Sequence, residues 1–301
     1  MNCESPVVAP EGQCPPFRLT RAAQGISPLI FAVPHAGRTY PKDMGHQRRL
    51  IDLRRLEDGL VDLLVEQSPR CGATLMAATI ARTYIDLNRD VRELDRDFVT
   101  PPAGAAVVRS ARVEAGLGLF PRYAEGLSIY GRTLSAEEVA ARIASVHQPY
   151  HQGLRANLTE AQNRFGLAVL IDWHSMPRSS ATAAAKPGAR GADMVLGDRH
   201  GTACDPKLTG WMEGALTSLG YRVARNHPFA GGYVAETYGR PAQGVHALQI
   251  EINRALYLDE TKVTPIPGFQ RLRADLNRLT TDLAHQTHIW ASQATPSRDL
   301  A

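Results

Sequence analysis

Side chains that could bind an ion or transfer a proton lie at the end of four apolar segments of this sequence, or just after it. These groups are His35, the pair Asn88-Arg89, His174 and Glu251. Where strands are parallel, their carboxyl ends meet at one edge of the sheet, which is where ligands bind. Two imidazoles and one carboxylate are a common ligand set for a catalytic zinc ion, which keeps one coordination position for water. A second carboxylate would act as general base on that water, so the pattern predicts metal-assisted hydrolysis.

The segments before these groups have the composition of buried strands. They are residues 29–33 (LIFAV), 81–87 (ARTYIDL), 167–172 (LAVLID) and 246–253 (HALQIEIN). Two shorter strands are predicted at 194–196 and 221–224. In the last long strand, alternation should turn Ile250 and Ile252 to the opposite face from Glu251.

Helical spacing of apolar residues separates these strands. The predicted helices cover residues 48–67, 135–164, 208–219 and 269–292. Ser135 is a suitable N-cap, and Pro149 should kink or break the second helix. Strands that alternate with helices predict an α/β fold, with a mixed, mostly parallel sheet covered by helices on both faces. We predict a loose tail over residues 1–16, a mobile loop over 179–191, and one catalytic domain over 17–301.

Composition excludes several classes of protein. The 301 residues are 44% hydrophobic and 21% charged, as in soluble globular chains. The net charge of +4 does not indicate nucleic-acid binding, because 34 basic residues are interleaved with 30 acidic ones and no DNA- or RNA-binding motif accompanies them. No apolar run reaches the roughly 18 residues of a membrane span, and no secretion signal is visible. A cytoplasmic protein with four free cysteines is expected, since the cysteines lack CxxC spacing.

Seven blocks of sequence resemble the N-formylglutamate amidohydrolase family. They are VPHAG (33–37), EDGLVDLL (57–64), ARTYIDLNRD (81–90), DWHSMP (172–177), DRHGT (198–202), NHPFAGGY (226–233) and QIEINR (249–254). With their flanking residues they extend in order from about 29 to 257. The resemblance implies a phosphorylase/hydrolase-like fold, similar to zinc carboxypeptidases and the aspartoacylase group. It also implies hydrolysis of N-formyl-L-glutamate to formate and glutamate, within histidine catabolism.

The resemblance further implies a metal site made of His35, Asp58 and His174, holding one divalent ion, expected to be Zn²⁺. The position three residues after His35 is Arg38, which departs from the HxxE pattern of carboxypeptidases and cannot coordinate a cation. Asp58 matches the acidic position best, and the adjacent Glu57 is a competitor. Asp58 could also be a helix-surface charge paired with a neighbouring arginine.

The catalytic and substrate-binding roles follow in the same way. Glu251 matches the general base, although an ion pair with Arg254 would also explain it. Asn88 and Arg89 resemble a pair that holds a substrate carboxylate, since a guanidinium grips a carboxylate with two parallel hydrogen bonds. Arg89 could instead bridge Asp86 and Asp90.

Other side chains are assigned supporting roles. Arg82 would polarise the scissile carbonyl, and Arg254 is a further candidate for carboxylate recognition. Gly231 and Gly232 would let a loop backbone approach the ligand, although a tight turn explains them equally well.

Three residues are expected to support the metal ligands. Asp172 should share the face of His174 and orient its imidazole. Asp198 and His200 repeat that spacing at the next strand end, and could contact the substrate or support the ligands. The predicted activity is therefore hydrolysis of a small N-formyl amino acid. A deacylase for another N-acyl acidic amino acid, or a metal- or ligand-binding relative without catalysis, are the alternatives.

Overall fold

A seven-stranded sheet forms the middle layer of the computed structural model, which describes residues 14–124, 126–183 and 190–294. Its strands are β1 (Phe17–Thr20), β2 (Leu29–Val33), β3 (Thr74–Ala78), β6 (Ala168–Met176), β7 (Met194–Gly197), β8 (Val223–Arg225) and β9 (Val245–Asn253). Two small hairpins complete the strands: β4 (Tyr123–Ala124) with β5 (Leu127–Ser128), and β10 (Leu258–Asp259) with β11 (Thr264–Pro265).

The strand order is β1-β3-β2-β6-β9-β7-β8. The pairs β3/β2, β2/β6, β6/β9 and β7/β8 are parallel, whereas β1/β3 and β7/β9 are antiparallel. Along its whole length β9 pairs with β6, so their carboxyl ends reach the same edge beside β2. The predicted mixed, mostly parallel sheet is confirmed.

Helices cover both faces of the sheet. They are α1 (Leu50–Arg54), α2 (Val61–Leu64), α3 (Ala111–Glu114), α4 (Ala136–Arg142), α5 (Gln148–Phe165), α6 (Arg178–Ala183), α7 (Pro206–Ser218), α8 (Tyr233–Tyr238) and α9 (Gly268–Ala294). On one face α7 and α9 pack, with buried leucines of α9 at positions 272, 276, 279 and 283 in helical spacing. On the other face α4, α5 and α8 pack against the sheet. The predicted three layers are confirmed.

The predicted helix over residues 48–67 is wrong. Two short helices, α1 and α2, replace it, and residues 55–60 between them are not in an α-helix. Leu60 has a φ of 64°, a left-handed conformation that a continuous helix cannot contain. The apolar spacing reflects burial of one leucine in each short helix, Leu53 in α1 and Leu64 in α2. The break puts Asp58 in a buried turn rather than on a helix surface.

The predicted strand over residues 81–87 is also wrong. The strand of this region is β3, which ends at Ala78, and residues 81–87 form buried turns after it. Tyr84 donates its backbone N–H to Ala81 O, and Asp86 donates to Leu119 O, so these groups are satisfied outside a sheet. The alternation in ARTYIDL therefore reflects burial of a loop.

The predicted helix over residues 135–164 is confirmed with an interruption. Ser135 caps α4 and forms a capping box with Glu138. A π-helical turn, Ile143–His147, joins α4 to α5 immediately before Pro149. Proline lacks the N–H that an α-helix needs, which accounts for the change of hydrogen bonding at this point. The remaining predicted strands and helices are confirmed to within a few residues, and β6 extends past Asp172 to include His174.

Parts of four predictions lie outside the described residues: positions 1–13 of the tail, positions 184–189 of the expected loop, positions 125, 184–189 and 295–301 of the expected domain, and Cys3. Residues 179–183 of the expected loop belong instead to α6, so this part of the loop prediction is wrong. Cys14, Cys71 and Cys204 are free thiols, as expected. No described helix is both long and apolar enough to cross a membrane.

Candidate active site

His35, Asp58 and His174 form one buried cluster. One ligand atom from each lies within 4.8 Å of the others. Asp58 Oδ2 is 2.9 Å from His174 Nδ1 and 3.4 Å from His35 Nδ1. All three residues are at most 3% exposed. The structure therefore brings together the three residues predicted to bind a metal.

Local structure explains why these residues meet. His35 comes two residues after β2, and His174 lies near the end of the adjacent strand β6. Asp58 reaches them because its backbone N–H donates to His35 O at 3.0 Å. That hydrogen bond forms in the break between α1 and α2. The interruption of the predicted helix therefore places the Asp58 carboxylate beside the two histidines.

Each imidazole has a carboxylate on its far side. His35 Nε2 lies 2.6 Å from Asp86 Oδ1, and His174 Nε2 lies 3.0 Å from Asp172 Oδ2. An Nε2–H that donates to a carboxylate leaves the Nδ1 lone pair directed at the cluster, the arrangement typical of metal-binding histidines. Asp172 lies where it was predicted.

The donor set fits a divalent cation. His35 Nδ1 is buried and has no hydrogen-bond partner among the described residues, which is costly for a polar atom that binds nothing. Two imidazole nitrogens and one carboxylate oxygen are the ligand types that a catalytic zinc prefers.

Charge interactions inside the cluster shift the pKa values of Asp58 and His174. Burial opposes charge on Asp58, but His174 and His35 lower the pKa of this carboxyl group well below its usual value. Burial likewise opposes the charged form of His174, yet Asp172 and Asp58 raise the pKa of this imidazole well above its usual value. The surrounding carboxylates therefore create a potential that attracts positive charge.

The second oxygen of Asp58 is held by protein groups. Arg254 Nη2 donates to Asp58 Oδ1 at 3.2 Å, and Ser175 Oγ donates to it at 3.0 Å. The other two nitrogens of the Arg254 guanidinium donate to Ser175 Oγ and Arg55 O. Arg254 thus fixes Asp58 so that Oδ2 faces the histidines.

Glu57 faces away from the cluster. It accepts a hydrogen bond from Tyr40 and lies 3.7 Å from Arg54 Nε. Burial raises the pKa of Glu57 to about 7. Between the two acidic candidates, the structure places Asp58 beside His35 and His174.

A cavity of about 680 Å³ opens beside the cluster. Among the described residues it is lined by the cluster and by the predicted catalytic and substrate-binding residues, namely Arg82, Asn88, Arg89, Gly231, Gly232, Glu251 and Arg254. Residues from six separate segments therefore share one space.

Glu251 lines this cavity on β9. It pairs in register with His174 of β6 and is 7% exposed. Gln249 Nε2 donates to Glu251 Oε1 at 2.9 Å, and the described residues give it no ion pair with Arg254. Burial raises the pKa of Glu251 to about 7, which suits a group that gains and loses a proton near neutrality. Ile250 and Ile252 point into the opposite core, as predicted.

Arg89 is buried without a carboxylate partner among the described residues. Its Nε donates to Leu117 O at 2.9 Å and its Nη1 to Asn88 O at 2.7 Å. It does not bridge Asp86 and Asp90, the alternative left open by the sequence. Burial lowers the pKa of Arg89, so an anion in the cavity would be favoured beside it.

Arg82 and Asn88 contact the residues behind the histidines. Arg82 Nη2 donates to Asp86 Oδ2 at 2.7 Å, and Arg82 also lines the cavity. Asn88 Nδ2 donates to Asp172 Oδ2 at 3.5 Å, and Asn88 Oδ1 accepts from Val234 N at 2.7 Å. Asn88 therefore connects the carboxylate behind His174 to the loop that carries the glycines.

The glycine pair allows that loop to approach closely. A Cβ at Gly232 would lie 2.4 Å from Asn88 Nδ2, and Gly231 has a φ of 119°. Gly232 N donates to Gln249 Oε1 at 2.7 Å. The loop backbone thus borders the cavity and holds the glutamine that binds Glu251.

The structure does not bring Asp198 and His200 to the metal ligands. Asp198 Oδ1 accepts hydrogen bonds from Asn226 Nδ2 at 2.7 Å and from Gly201 N at 3.1 Å, and His200 is exposed. Since β7 is antiparallel to β9, its carboxyl end points away from the edge where His174 lies. Their expected supporting role was inferred from a parallel arrangement that this strand does not have.

Sequence reasoning missed three residues near the site. Asp86 binds His35. It lies in residues 81–87, which were predicted as a strand and form a loop, so its position near His35 was not predicted. His147 Nε2 lies 2.9 Å from Arg89 O, and His151 Nε2 lies 3.0 Å from Leu87 O. The two histidines, four residues apart in HQPYH, hold the carbonyl groups on either side of Asn88. Their spacing on one helix face was the available signal.

Comparison with known proteins agrees with the geometry. Residues 27–258 match the family model described as N-formylglutamate amidohydrolase. The chain is 32% identical over 246 residues to the N-formylglutamate deformylase of Pseudomonas aeruginosa, covering 79% of this chain and 84% of that protein. It is 31% identical to the enzyme of the same name from Pseudomonas putida, covering 79% and 85%.

Solved structures give the same result. The N-formylglutamate amidohydrolase of Ralstonia eutropha JMP134 superimposes with a TM-score of 0.87 at 37% identity, covering 91% of this chain and 99% of that one. A gene product of Agrobacterium tumefaciens, 17% identical with a TM-score of 0.58, covers 93% and 95% and shares the fold. The resemblance found in the sequence blocks is confirmed, and this chain belongs to the N-formylglutamate amidohydrolase family.

Proposed function

We propose that this protein hydrolyses the formyl amide bond of N-formyl-L-glutamate, releasing formate and glutamate. The observation that carries the proposal is the placement of His35, Asp58, His174 and Glu251 around one cavity that also contains a buried arginine without a carboxylate partner in the described chain. The names of the relatives from Pseudomonas and Ralstonia support the same substrate.

His35 Nδ1, Asp58 Oδ2 and His174 Nδ1 would hold one divalent cation, proposed to be Zn²⁺. Such an ion supplies Lewis acidity, which polarises a carbonyl and makes water more acidic. Asp86 and Asp172 keep the two imidazoles in the orientation that binding needs, and Arg254 and Ser175 keep Asp58 in place.

Glu251 would accept a proton from the attacking water and return it to the nitrogen of the departing amine. Its raised pKa makes both transfers feasible near neutral pH. Arg82 lies at the cavity wall, where its charge would stabilise the oxygen of the tetrahedral intermediate. Arg89 would bind the α-carboxylate of the substrate, and Asn88 would position the segment that presents it.

A panel of substrates tests the function. Purified protein supplied with Zn²⁺ is incubated with N-formylglutamate, N-acetylglutamate and N-formyl derivatives of neutral amino acids, and released formate or acetate and free amine are quantified. We expect the highest kcat/KM on N-formylglutamate. Preference for an N-acetyl acidic amino acid would favour the deacylase alternative, and no release from any compound would favour a non-catalytic protein. The cytoplasmic location and the role in histidine catabolism stay predictions.

The second test concerns Arg89. Arg89→Lys keeps the charge but loses the two-pronged geometry, so it should weaken transition-state binding of N-formylglutamate by roughly 1 to 3 kcal/mol, the range of one charge-assisted hydrogen bond. Arg89→Ala should lose more. Steady-state kinetics on the same substrate with its α-carboxylate amidated is the control, because the group that Arg89 binds is then absent. An equal loss on both substrates would make Arg89 a structural residue.

A further inference from the structure

The turn after β7 is built around an arginine that the proposed reaction has not used. Arg199 and His200 have φ values of 52° and 56°, and Gly201 follows at 83°. Two successive left-handed residues that are not glycine are uncommon, and such backbone is found preferentially at ligand-binding and catalytic sites.

Neighbouring groups hold this turn in place. Asn226 Oδ1 accepts hydrogen bonds from Asp198 N at 3.1 Å and from His200 N at 3.4 Å, while its Nδ2 donates to Asp198 Oδ1. Arg199 N donates to Ala230 O at 2.7 Å. The DRHGT and NHPFAGGY segments are therefore joined into one support for the backbone of Arg199.

The side chain of Arg199 lies along the glycine loop and lines the cavity. Its Cγ would be 2.9 Å from a Cβ at Gly231, and its Nη1 donates to Gly231 O at 3.4 Å. Its carboxylate partner in the described chain is Glu236, at 3.1 Å, whose side chain is 57% exposed. An ion pair with so exposed a partner is weak and can be exchanged for a ligand.

The cavity is lined by more arginines than the proposed metal binding and proton transfer use. Within the described ranges its lining includes Arg55, Arg82, Arg89, Arg112, Arg199 and Arg254. Arg82 is bound to Asp86 and Arg254 to Asp58, both of which are buried carboxylates that support the metal site. Arg55 donates to Thr261 O and lies 3.7 Å from Asp52. Of the arginines that line the cavity in the described part of the chain, Arg89, Arg112 and Arg199 then remain as candidates to bind a substrate anion.

Arg89 and Arg199 reach the cavity from different parts of the fold. Arg89 follows Asn88 in the loop after β3. The Arg199 turn follows β7, whose Gly197 pairs with Gln249 of β9. In the sheet, β7 lies on one side of β9 and β6 lies on the other. Arg112 is exposed and lies on α3, a helix of four residues with no contact that fixes its side chain in the described structure. Arg199 is thus the better-held cation for a second anionic group.

We infer that Arg199 binds the side-chain carboxylate of the substrate and selects dicarboxylic N-formyl amino acids over neutral ones. This inference rests on the proposed deformylase function and on Arg89 binding the α-carboxylate. A planar guanidinium on a fixed backbone suits a carboxylate whose position is set by the reacting amide bond. The surface pair with Glu236 would open when the substrate binds.

The test compares N-formylglutamate with N-formylglutamine, which keeps the α-carboxylate and replaces the side-chain carboxylate by an amide. In wild type, kcat/KM should be higher for N-formylglutamate. Arg199→Met should lower kcat/KM for N-formylglutamate by about 10- to 100-fold, mainly through KM, and change the value for N-formylglutamine by less than about 3-fold. Arg199→Lys should recover part of the loss, since the charge remains.

Two control variants separate selection from structure. Arg225→Met removes an ion-paired arginine of similar exposure, 38% against 33% for Arg199, that does not line the cavity, and should not change the preference. Glu236→Gln frees Arg199 and should keep the preference or increase it. Thermal unfolding of each variant confirms that it is folded.

Several results would overturn the inference. These are an equal loss on both substrates in Arg199→Met, a wild type without preference between them, or a selective loss in Arg112→Met instead of Arg199→Met. A wild type that releases formate from neither substrate contradicts the proposed deformylase function itself, and so is distinct from a failure of Arg199.

Discussion

Glu251→Gln should leave the metal content unchanged and lower kcat by about 100- to 10,000-fold, the usual contribution of a general base. The substitution is nearly isosteric. The new amide oxygen can still accept the hydrogen bond that Gln249 Nε2 donates to Glu251 Oε1. The local structure is therefore kept, while the capacity to take a proton from water is lost.

The matched control is Glu93→Gln. Glu93 is 8% exposed, close to the 7% of Glu251, but its carboxylate accepts from Ser110 Oγ and Asp90 N and does not line the cavity. Steady-state kinetics and elemental analysis of both variants measure the difference. Full activity in Glu251→Gln would transfer the role of base to another carboxylate, while an equal loss in Glu93→Gln would attribute the effect to burial of a neutralised side chain.

The sequence was sufficient to predict five of the seven strands of the sheet and the position of most candidate site residues, because buried strands leave continuous apolar runs. The runs before His35 and around His174 and Glu251 are such strands, and their parallel pairing brings the three residues to one edge. The amphipathic α9 and the capped α4 were equally clear, since their signals are local.

The errors come from features that depend on distant contacts. A loop that buries alternate residues, like 81–87, has the same pattern as a strand, and only a hydrogen-bonding partner distinguishes the two. The direction of β7 depends on the path of the connection after β6, which no short motif encodes. The expectation that Asp198 and His200 lie beside the metal ligands depended on that direction.

Asp58 shows how an error of secondary structure can leave a site residue correct. The helical spacing of residues 48–67 suggested a surface position, yet the left-handed Leu60 and the hydrogen bond from Asp58 N to His35 O bury the carboxylate. The family resemblance identified the residue, whereas periodicity alone misplaced it. The choice between Asp58 and Glu57 needed the three-dimensional contacts.

The other prediction with a large expected effect concerns metal binding. His174→Ala and Asp58→Asn should each lose most of the bound divalent ion, because each removes one of three protein ligands, and turnover should fall with the metal. Elemental analysis of purified protein, after equilibration with a fixed concentration of free Zn²⁺, measures this directly. Wild type should also unfold at a higher temperature with Zn²⁺ than after treatment with a chelator, since an ion that binds the folded state stabilises it.

Glu57→Gln is the matched control for Asp58→Asn. The two residues are adjacent and equally buried, at 1% exposure, but the Glu57 carboxylate binds Tyr40 and lies 3.7 Å from Arg54 rather than facing the histidines. We therefore expect Glu57→Gln to retain the ion and the Zn²⁺-dependent rise in unfolding temperature. The opposite result, metal retained in Asp58→Asn and lost in Glu57→Gln, would make Glu57 the acidic ligand. Equal metal content in wild type and His174→Ala would remove His174 from the site, because a three-ligand site cannot lose an imidazole without weakening its hold on the ion.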